Sequence, residues 1–186
     1  KRLHGAPMLS KRELKESYEE CLKKFTIRSI SDEKRFVGEY FEKALHNLEL
    51  AGLLDLLSRD NEKKKAIQIS PNSQYFDWII ITSYYAMYLA ATSALAKVGL
   101  KCTTHGSTVI ALEYVYCVEK NLLDRKHIAM IENAKFGRED IQKIDEAMKG
   151  RTAVQYTISK KYGDVEAKRT LKNAREFINK LDEISK

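Results

Sequence analysis

The sequence predicts an all-α fold, an antiparallel up-and-down bundle of about five to six helices. Turns are scarce, because only 8 of the 186 residues are glycine and 2 are proline. Apolar residues recur at three- and four-residue spacings along most of the chain, as on one side of a helix, and no stretch alternates as a strand does. The third observation is a long hydrophobic stretch, residues 78–98, which suits the centre of such a bundle.

The stretch 78–98 contains one charged residue, Lys97, and neither glycine nor proline. Ala86, Ala90 and Ala94 recur every fourth residue and predict a narrow ridge that a neighbouring helix approaches closely. The stretch is also long enough to cross a bilayer. Tyrosines and hydroxyl side chains interrupt it, and no second such segment accompanies it, so we interpret it as a buried helix and predict no membrane association.

The other helices are assigned from apolar stripes and capping residues. Residues 1–30 are predicted to form an N-terminal helix packed on or extending the bundle, and residues 31–186 the bundle itself. The polar stretch 59–72 predicts a loop with one short turn. The sequence leaves open whether the fifth helix ends near Gly150 or continues through Tyr156. The first predicted helix spans 11–25 and is capped by Ser10, and the second runs from Ser31 or Asp32 to about 57. The third runs from Asn72 or Ser73 to Gly99, and the fourth from Gly106 or Ser107 to about 121. The fifth begins at Asp124, and the last runs from Asp164 to about 181.

The net charge of +7 lies mainly at the two ends of the chain. Residues 1–30 carry 8 basic and 4 acidic side chains, and residues 151–186 carry 9 and 5. Basic ends favour a polyanionic partner such as RNA. The run 63–65 is three lysines, interpreted as a solvated loop rather than a phosphate contact. The three cysteines are an odd number without CxxC spacing, which indicates reduced thiols in a cytoplasmic protein.

Familiar catalytic and cofactor motifs are missing from the sequence. No Glu-x-x-His pair is present for a di-metal bundle, no glycine-rich phosphate loop and no GxSxG nucleophile motif, so we predict no metal and no cofactor. Cys102 lies near His105, but an incidental cysteine is favoured over a nucleophile. Arg151 suits a phosphate through its planar guanidinium, yet it equally suits a structural carboxylate.

Four segments, taken in order, resemble the HEPN superfamily (higher eukaryotes and prokaryotes nucleotide-binding domain). Each segment alone is a weak signal, and their order and spacing carry the resemblance over residues 35–185. The segments are 44–51 (ALHNLELA), 83–91 (SYYAMYLAA), the connector 100–107 (LKCTTHGS) with its histidine, and Arg151 followed by Tyr156 ahead of the last helix.

The resemblance implies roles for particular residues. HEPN ribonucleases carry an Arg-x4-6-His signature that acts across a dimer, which places Arg151 as the phosphate-binding arginine. The histidine is absent, since residues 152–158 contain none and the fifth position after Arg151 is Tyr156. A tyrosine, with an unperturbed pKa of about 10, is a poor general base at neutral pH. The branch of the family without ribonuclease activity often has Asp-Tyr here, where this chain has Gln155 and Tyr156.

The resemblance therefore implies a cytoplasmic, homodimeric nucleotide- or RNA-binding and protein-interaction module without ribonuclease activity. It also implies a partner, a small nucleotidyltransferase in a toxin–antitoxin-like system. The candidate binding residues are Arg151, Gln155, Tyr156 and His105. The alternative is a metal-independent endoribonuclease that uses Arg151 and Tyr156, with His105, at a dimer interface, and a purely structural scaffold is a third possibility.

Overall fold

The computed structural model describes residues 9–149 and 163–185, with the backbone alone at position 136 and over 140–149. The predicted all-α bundle is confirmed: the described residues contain seven α-helices and one short two-stranded ribbon. The elements are α1 (Lys11–Lys23), β1 (Ile27–Ser29), α2 (Val37–Arg59), α3 (Asn61–Ala66), α4 (Phe76–Lys97), β2 (Leu100–Cys102), α5 (His105–Leu112), α6 (Arg125–Lys149) and α7 (Asp164–Glu183).

Helix α4 is the centre of the bundle, with α2, α5, α6 and α7 packed around it. The predicted ridge of Ala86, Ala90 and Ala94 is buried, as expected where neighbouring helices approach closely. The helix is long and apolar enough to span a membrane, but 72% of its most apolar window is buried inside the bundle. This burial is that of a core helix of the bundle. Gly99, with a φ of 74°, follows α4 in the predicted position.

Helices α2 and α4 are antiparallel neighbours joined by hydrogen bonds near both ends. At one end the Ser93 hydroxyl donates to the Val37 carbonyl over 2.8 Å. At the other end the Tyr75 amide donates to the Ser58 hydroxyl over 3.0 Å. Arg59, in the last turn of α2, forms ion pairs with Asp55 and with Asp164 of α7. These contacts fix the framework on which the remaining helices pack.

The connection between α2 and α4 differs from the predicted solvated loop. It contains α3, in which Lys64 is only 2% exposed. The Lys64 ammonium donates to the Ser58 carbonyl, the Asn61 side chain and the Pro71 carbonyl over 3.2, 3.3 and 2.8 Å. Lys64 therefore joins the two sides of the connection, while Lys63 and Lys65 remain exposed as predicted.

The ribbon of β1 and β2 was not predicted, because three-residue strands are too short to show alternation. The strands are antiparallel, and Arg28 lies opposite Lys101. Helix α1 packs on this ribbon and on α5, burying Leu14 completely. The proposed division of the chain at residue 30 stays a prediction. Two further segments are helical, a 3₁₀-helix at Ser31–Phe36 and a π-helix at Glu113–Glu119.

Candidate functional site

Three helices bring tyrosines, a histidine and two cations together. We call this set the aromatic–basic cluster. Helix α4 contributes the tyrosines, α5 the histidine at its first residue, and α6 both cations. Its members are Tyr84, Tyr85, Tyr88, His105, Lys135 and Arg138.

The spacing of the tyrosines along α4 decides which of them faces inward. Tyr84 and Tyr88 are four residues apart and therefore lie on one side of the helix, with ring centroids 6.0 Å apart. Tyr84 is 2% exposed. Tyr85, the next residue on α4, points towards the surface and is 37% exposed. Tyr85 meets the Tyr84 ring edge-on at 5.3 Å. The cluster thus has a buried layer and an outer edge.

His105 is half-buried and packs on the buried layer. The side chains of Thr104 and Ser107 form a capping box that begins α5 at His105. The Nδ1 atom of His105 lies 3.0 Å from the Tyr84 hydroxyl, and its ring stacks on Tyr88 with centroids 6.0 Å apart and planes at 19°. Its Nε2 atom is buried and has no hydrogen-bond partner in the structure. Buried polar atoms of this kind call for an explanation in a native site.

The cluster holds both of its inner polar groups uncharged at neutral pH. Burial lowers the pKa of His105 to about 4, and the positive charges of Lys135 and Arg138 act in the same direction. Burial raises the pKa of Tyr84 to about 12, against the opposing influence of Arg138. The charge of the cluster therefore comes from its two cations.

Arg138 connects the buried layer with the outer edge. Its guanidinium carbon lies 5.1 Å from the ring centroids of both Tyr84 and Tyr85, within the range of cation–π attraction. Its Nε atom is buried without a hydrogen-bond partner. Lys135, one turn earlier on α6, is partly exposed, with its ammonium 3.4 Å from the Glu139 carboxylate. These two cations can attract a phosphate, and the exposed Tyr85 ring can stack on a base.

The structure places one of the four predicted site residues. His105 lies in the cluster, but its buried, neutral ring suits the positioning of neighbours better than direct contact with an anion. Arg151, Gln155 and Tyr156 lie outside the described residues. Helix α6, which carries Arg138, is described as far as Lys149, two residues before Arg151 in the sequence.

Lys135 and Arg138 were not identified from the sequence as site residues. Their spacing of three puts both on neighbouring positions of one helix face, which is a signal available in advance. The signal is weak alone, because solvated cation pairs are common on helices. Its significance comes from the packing of α6 against α4, which brings Arg138 over Tyr84 and Tyr85 from more than fifty positions away along the chain.

Cys102, the other sequence candidate near His105, does not suit a nucleophile. Burial raises the pKa of its thiol to about 12, so it remains protonated at neutral pH. The attacking species of a catalytic cysteine is the thiolate. This protonated thiol agrees with the preferred interpretation of Cys102 as an incidental cysteine.

A family model of the HEPN domain matches residues 53–184, most of the chain. The chain therefore belongs to the HEPN family, and the resemblance is confirmed. The match begins in the second half of α2 and includes the whole cluster, while the segment 44–51 lies before it. Membership supports a module that binds nucleotides or RNA, or one that resembles a ribonuclease. Comparison with curated proteins and with solved structures gave no match.

Proposed function

We propose that this HEPN chain is a nucleotide- or RNA-binding and protein-interaction module without ribonuclease activity, and that the aromatic–basic cluster holds its ligand. The observation that carries the proposal is the guanidinium of Arg138, 5.1 Å above both Tyr84 and Tyr85 and on the same helix as Lys135. A planar guanidinium binds a phosphate through two parallel N–H donors. Tyr85 offers a base a partly exposed aromatic face.

The ligand meets the outer edge of the cluster. The Nε atom of Arg138 and the Nε2 atom of His105 are shielded from solvent, so the contact falls on Tyr85, on the terminal nitrogens of Arg138 and on Lys135. His105 is then a positioning residue. Its neutral ring holds the Tyr84 hydroxyl at 3.0 Å, and Tyr84 in turn supports the guanidinium of Arg138.

The protonation states within the cluster favour binding over acid–base catalysis. A general base works best when its pKa lies near the working pH. The pKa of His105, about 4, makes it too weak a base, and the Tyr84 hydroxyl, with a pKa of about 12, retains its proton. The Arg-x4-6-His signature also lacks its histidine. An endoribonuclease that uses Arg151 and Tyr156, with His105, at a dimer interface is the competing function.

Binding is tested by the fluorescence anisotropy of a labelled single-stranded 12-nucleotide RNA, with AMP as a mononucleotide competitor. Arg138→Ala should weaken binding at least about tenfold, because a hydrogen-bonded charge is lost. Arg138→Lys should retain part of the affinity. Arg169→Ala removes an exposed arginine from α7 and should bind as the unmodified chain does. Equal losses in Arg138→Ala and Arg169→Ala would contradict a site at the cluster.

Catalysis is tested by incubating the purified chain with structured RNA in the presence of a chelator. We expect intact RNA. Cleavage that disappears in Arg151→Ala would replace the binding module with the endoribonuclease. If the chain binds neither RNA nor AMP at low salt and cleaves no RNA, the purely structural scaffold is the remaining function.

We further propose that the chain is a cytoplasmic homodimer that pairs with a small nucleotidyltransferase in a toxin–antitoxin-like system. The partner and the assembly are what the resemblance to other HEPN proteins implies, and the burial of α4 supports a soluble location. Sedimentation velocity should give a dimer for the chain alone. Native mass spectrometry after co-expression with a minimal nucleotidyltransferase should give one complex. A monomer in the first experiment, or separate species in the second, would contradict the corresponding part of the proposal.

A further inference from the structure

A second set of aromatic and basic side chains lies where α1 ends and the β1–β2 ribbon begins. We call it the ribbon patch. All of its side chains are exposed, and together they combine two apolar groups with four cations. Its members are Leu22, Lys23, Lys24, Phe25, Arg28 and Lys101.

Phe25 occupies a position that normally favours glycine. Its φ is 55°, in the left-handed region. The Thr26 amide donates to the Cys21 carbonyl and the Phe25 amide to the Leu22 carbonyl, both over 3.0 Å, which together form a Schellman motif at the end of α1. A bulky residue in this conformation is strained. The Phe25 side chain is nevertheless 69% exposed, so burial in the fold does not account for it.

Arg28 and Lys101 lie directly opposite each other on the ribbon. Both are exposed, whereas the neighbouring pair, Ile27 and Cys102, lies towards the core. Like charges directly opposite in a ladder are destabilising. The Arg28 Nε atom donates to the Phe25 carbonyl over 3.0 Å, which brings the guanidinium beside the aromatic residue.

Two of the other cations are partly neutralised by carboxylates. The Lys24 ammonium lies 2.5 Å from Glu20, and that of Lys101 lies 3.3 Å from the buried carboxylate of Glu33. Arg28 forms no ion pair within the described residues. Arg28, a positive charge without an ion pair among the described residues, thus contacts the backbone of the exposed Phe25.

We propose that the ribbon patch is a second contact for single-stranded RNA. A base stacks on Phe25, while Arg28 and Lys101 hold the adjoining phosphates. An exposed aromatic ring beside unbalanced positive charge is the combination that single-stranded nucleic acids recognise. Phe25 and Arg28 precede the residues matched by the HEPN model, whereas Lys101 lies within them.

The patch is close in the chain to the aromatic–basic cluster, and the inference rests on the function proposed for that cluster. Lys101 and His105 are four residues apart, so their Cα atoms lie at most about 15 Å apart even in a fully extended chain. A few nucleotides of a single strand span such a distance. This proximity favours RNA over an anionic membrane, the other partner to which exposed Leu22, Phe25 and lysines are suited.

The test uses the full chain and a 5′-fluorescein oligouridylate of 12 nucleotides, with binding followed by anisotropy. Phe25→Gly should weaken binding at least about fivefold through lost stacking. Its melting temperature should stay the same or rise, because glycine adopts a positive φ without strain. Phe25→Trp should retain the affinity. A structural role for Phe25 predicts the opposite, a lower melting temperature with unchanged affinity per folded molecule.

Gln68 provides a matched control. It is exposed and has a φ of 59°, so Gln68→Gly relieves the same kind of backbone strain without removing an aromatic ring. Gln68→Gly should bind the oligouridylate as the unmodified chain does. Arg28→Ala and Lys101→Ala should each reduce the slope of log K against log salt by about 0.7, as expected for one lost phosphate contact to a single strand.

The outcomes separate the two proposals. If the unmodified chain binds neither the oligouridylate nor AMP, the function proposed for the cluster fails, and this inference fails with it. If it binds AMP but not the oligouridylate, nucleotide binding at the cluster stands and the ribbon patch is wrong. If binding depends on Arg138 but Phe25→Gly binds normally, only the ribbon patch is wrong. If Phe25→Gly loses binding to phosphatidylcholine–phosphatidylserine vesicles and keeps its affinity for RNA, the patch is a membrane contact and the inference is overturned.

Discussion

The aromatic–basic cluster and the ribbon patch are built from similar side chains in opposite environments. In the cluster, Tyr84 is buried, shares a hydrogen bond with His105 and lies under the guanidinium of Arg138. In the ribbon patch, Phe25 is exposed, and Arg28 contacts its backbone carbonyl. The cluster is held by three helices, the patch by one helix end and a short ribbon. Substitutions in the cluster should therefore lower stability and weaken binding together, whereas those in the patch should weaken binding with no loss of stability.

The largest expected effect is the loss of a buried aromatic side chain in the cluster. Tyr84→Ala should lower the free energy of unfolding by about 3–5 kcal/mol, because it leaves a cavity against α5 and α6. Urea denaturation followed by circular dichroism measures the change. The neighbouring Tyr85→Ala, at a position 37% exposed, is the control and should lose clearly less. Equal losses at the two positions would show that the cluster has no buried layer.

An intermediate effect should come from protonation of His105. Its pKa in the folded chain is about 4, below the value of about 6.5 in an unfolded chain. The unfolded state therefore binds the proton more readily, so stability is complete above pH 6.5 and is lost as the pH falls towards 4. The charges that face the ring are Lys135 and Arg138 of α6, and the rings of Tyr84 and Tyr88 on α4 pack against it.

Melting temperatures between pH 8 and pH 4 test this dependence. His105→Gln should show a smaller decrease on acidification than the unmodified chain. His46→Gln, at an exposed position on α2, controls for the loss of a histidine and should follow the unmodified chain. Identical profiles for His105→Gln and the unmodified chain would contradict a buried, neutral imidazole.

The smallest expected effect lies in the ribbon patch. Arg28→Thr removes the charge opposite Lys101 and keeps the ion pair between Lys101 and Glu33. It should raise the free energy of unfolding by about 0.2–1 kcal/mol, and the gain should shrink at high salt as charges are screened. Chemical denaturation at two salt concentrations measures both quantities. A loss of stability would mean that Arg28 supports the ribbon.

The sequence predicted elements that depend on local patterns. The Ala86, Ala90 and Ala94 ridge, the glycine that follows α4 and the position of Ser10 before α1 were all visible as short-range patterns. The sequence predicted the start of α4 a few residues too early, at Asn72 or Ser73. The helix begins at Phe76, and its N-cap residue makes no side-chain hydrogen bond to the first turn. Helix boundaries of this kind depend on turn geometry that composition does not encode.

Features that depend on distant residues were not predictable. Lys64 is buried because carbonyls of Ser58 and Pro71 converge on its ammonium, which a run of lysines does not reveal. Arg138 becomes a site candidate only when α6 packs on α4. His105 was identified through the family resemblance, but its burial and neutral state follow from the helices around it.

Photocrosslinking tests most directly the central claim, that one RNA strand contacts both the cluster and the ribbon patch. A single-stranded oligonucleotide containing 4-thiouridine is bound to the full chain and irradiated, and mass spectrometry maps the crosslinked residues. The account predicts crosslinks within residues 84–88 and at Phe25, with the crosslinks in both regions lost in Arg138→Ala. Crosslinks confined to the exposed faces of α2 and α7, or unchanged by Arg138→Ala, would contradict it.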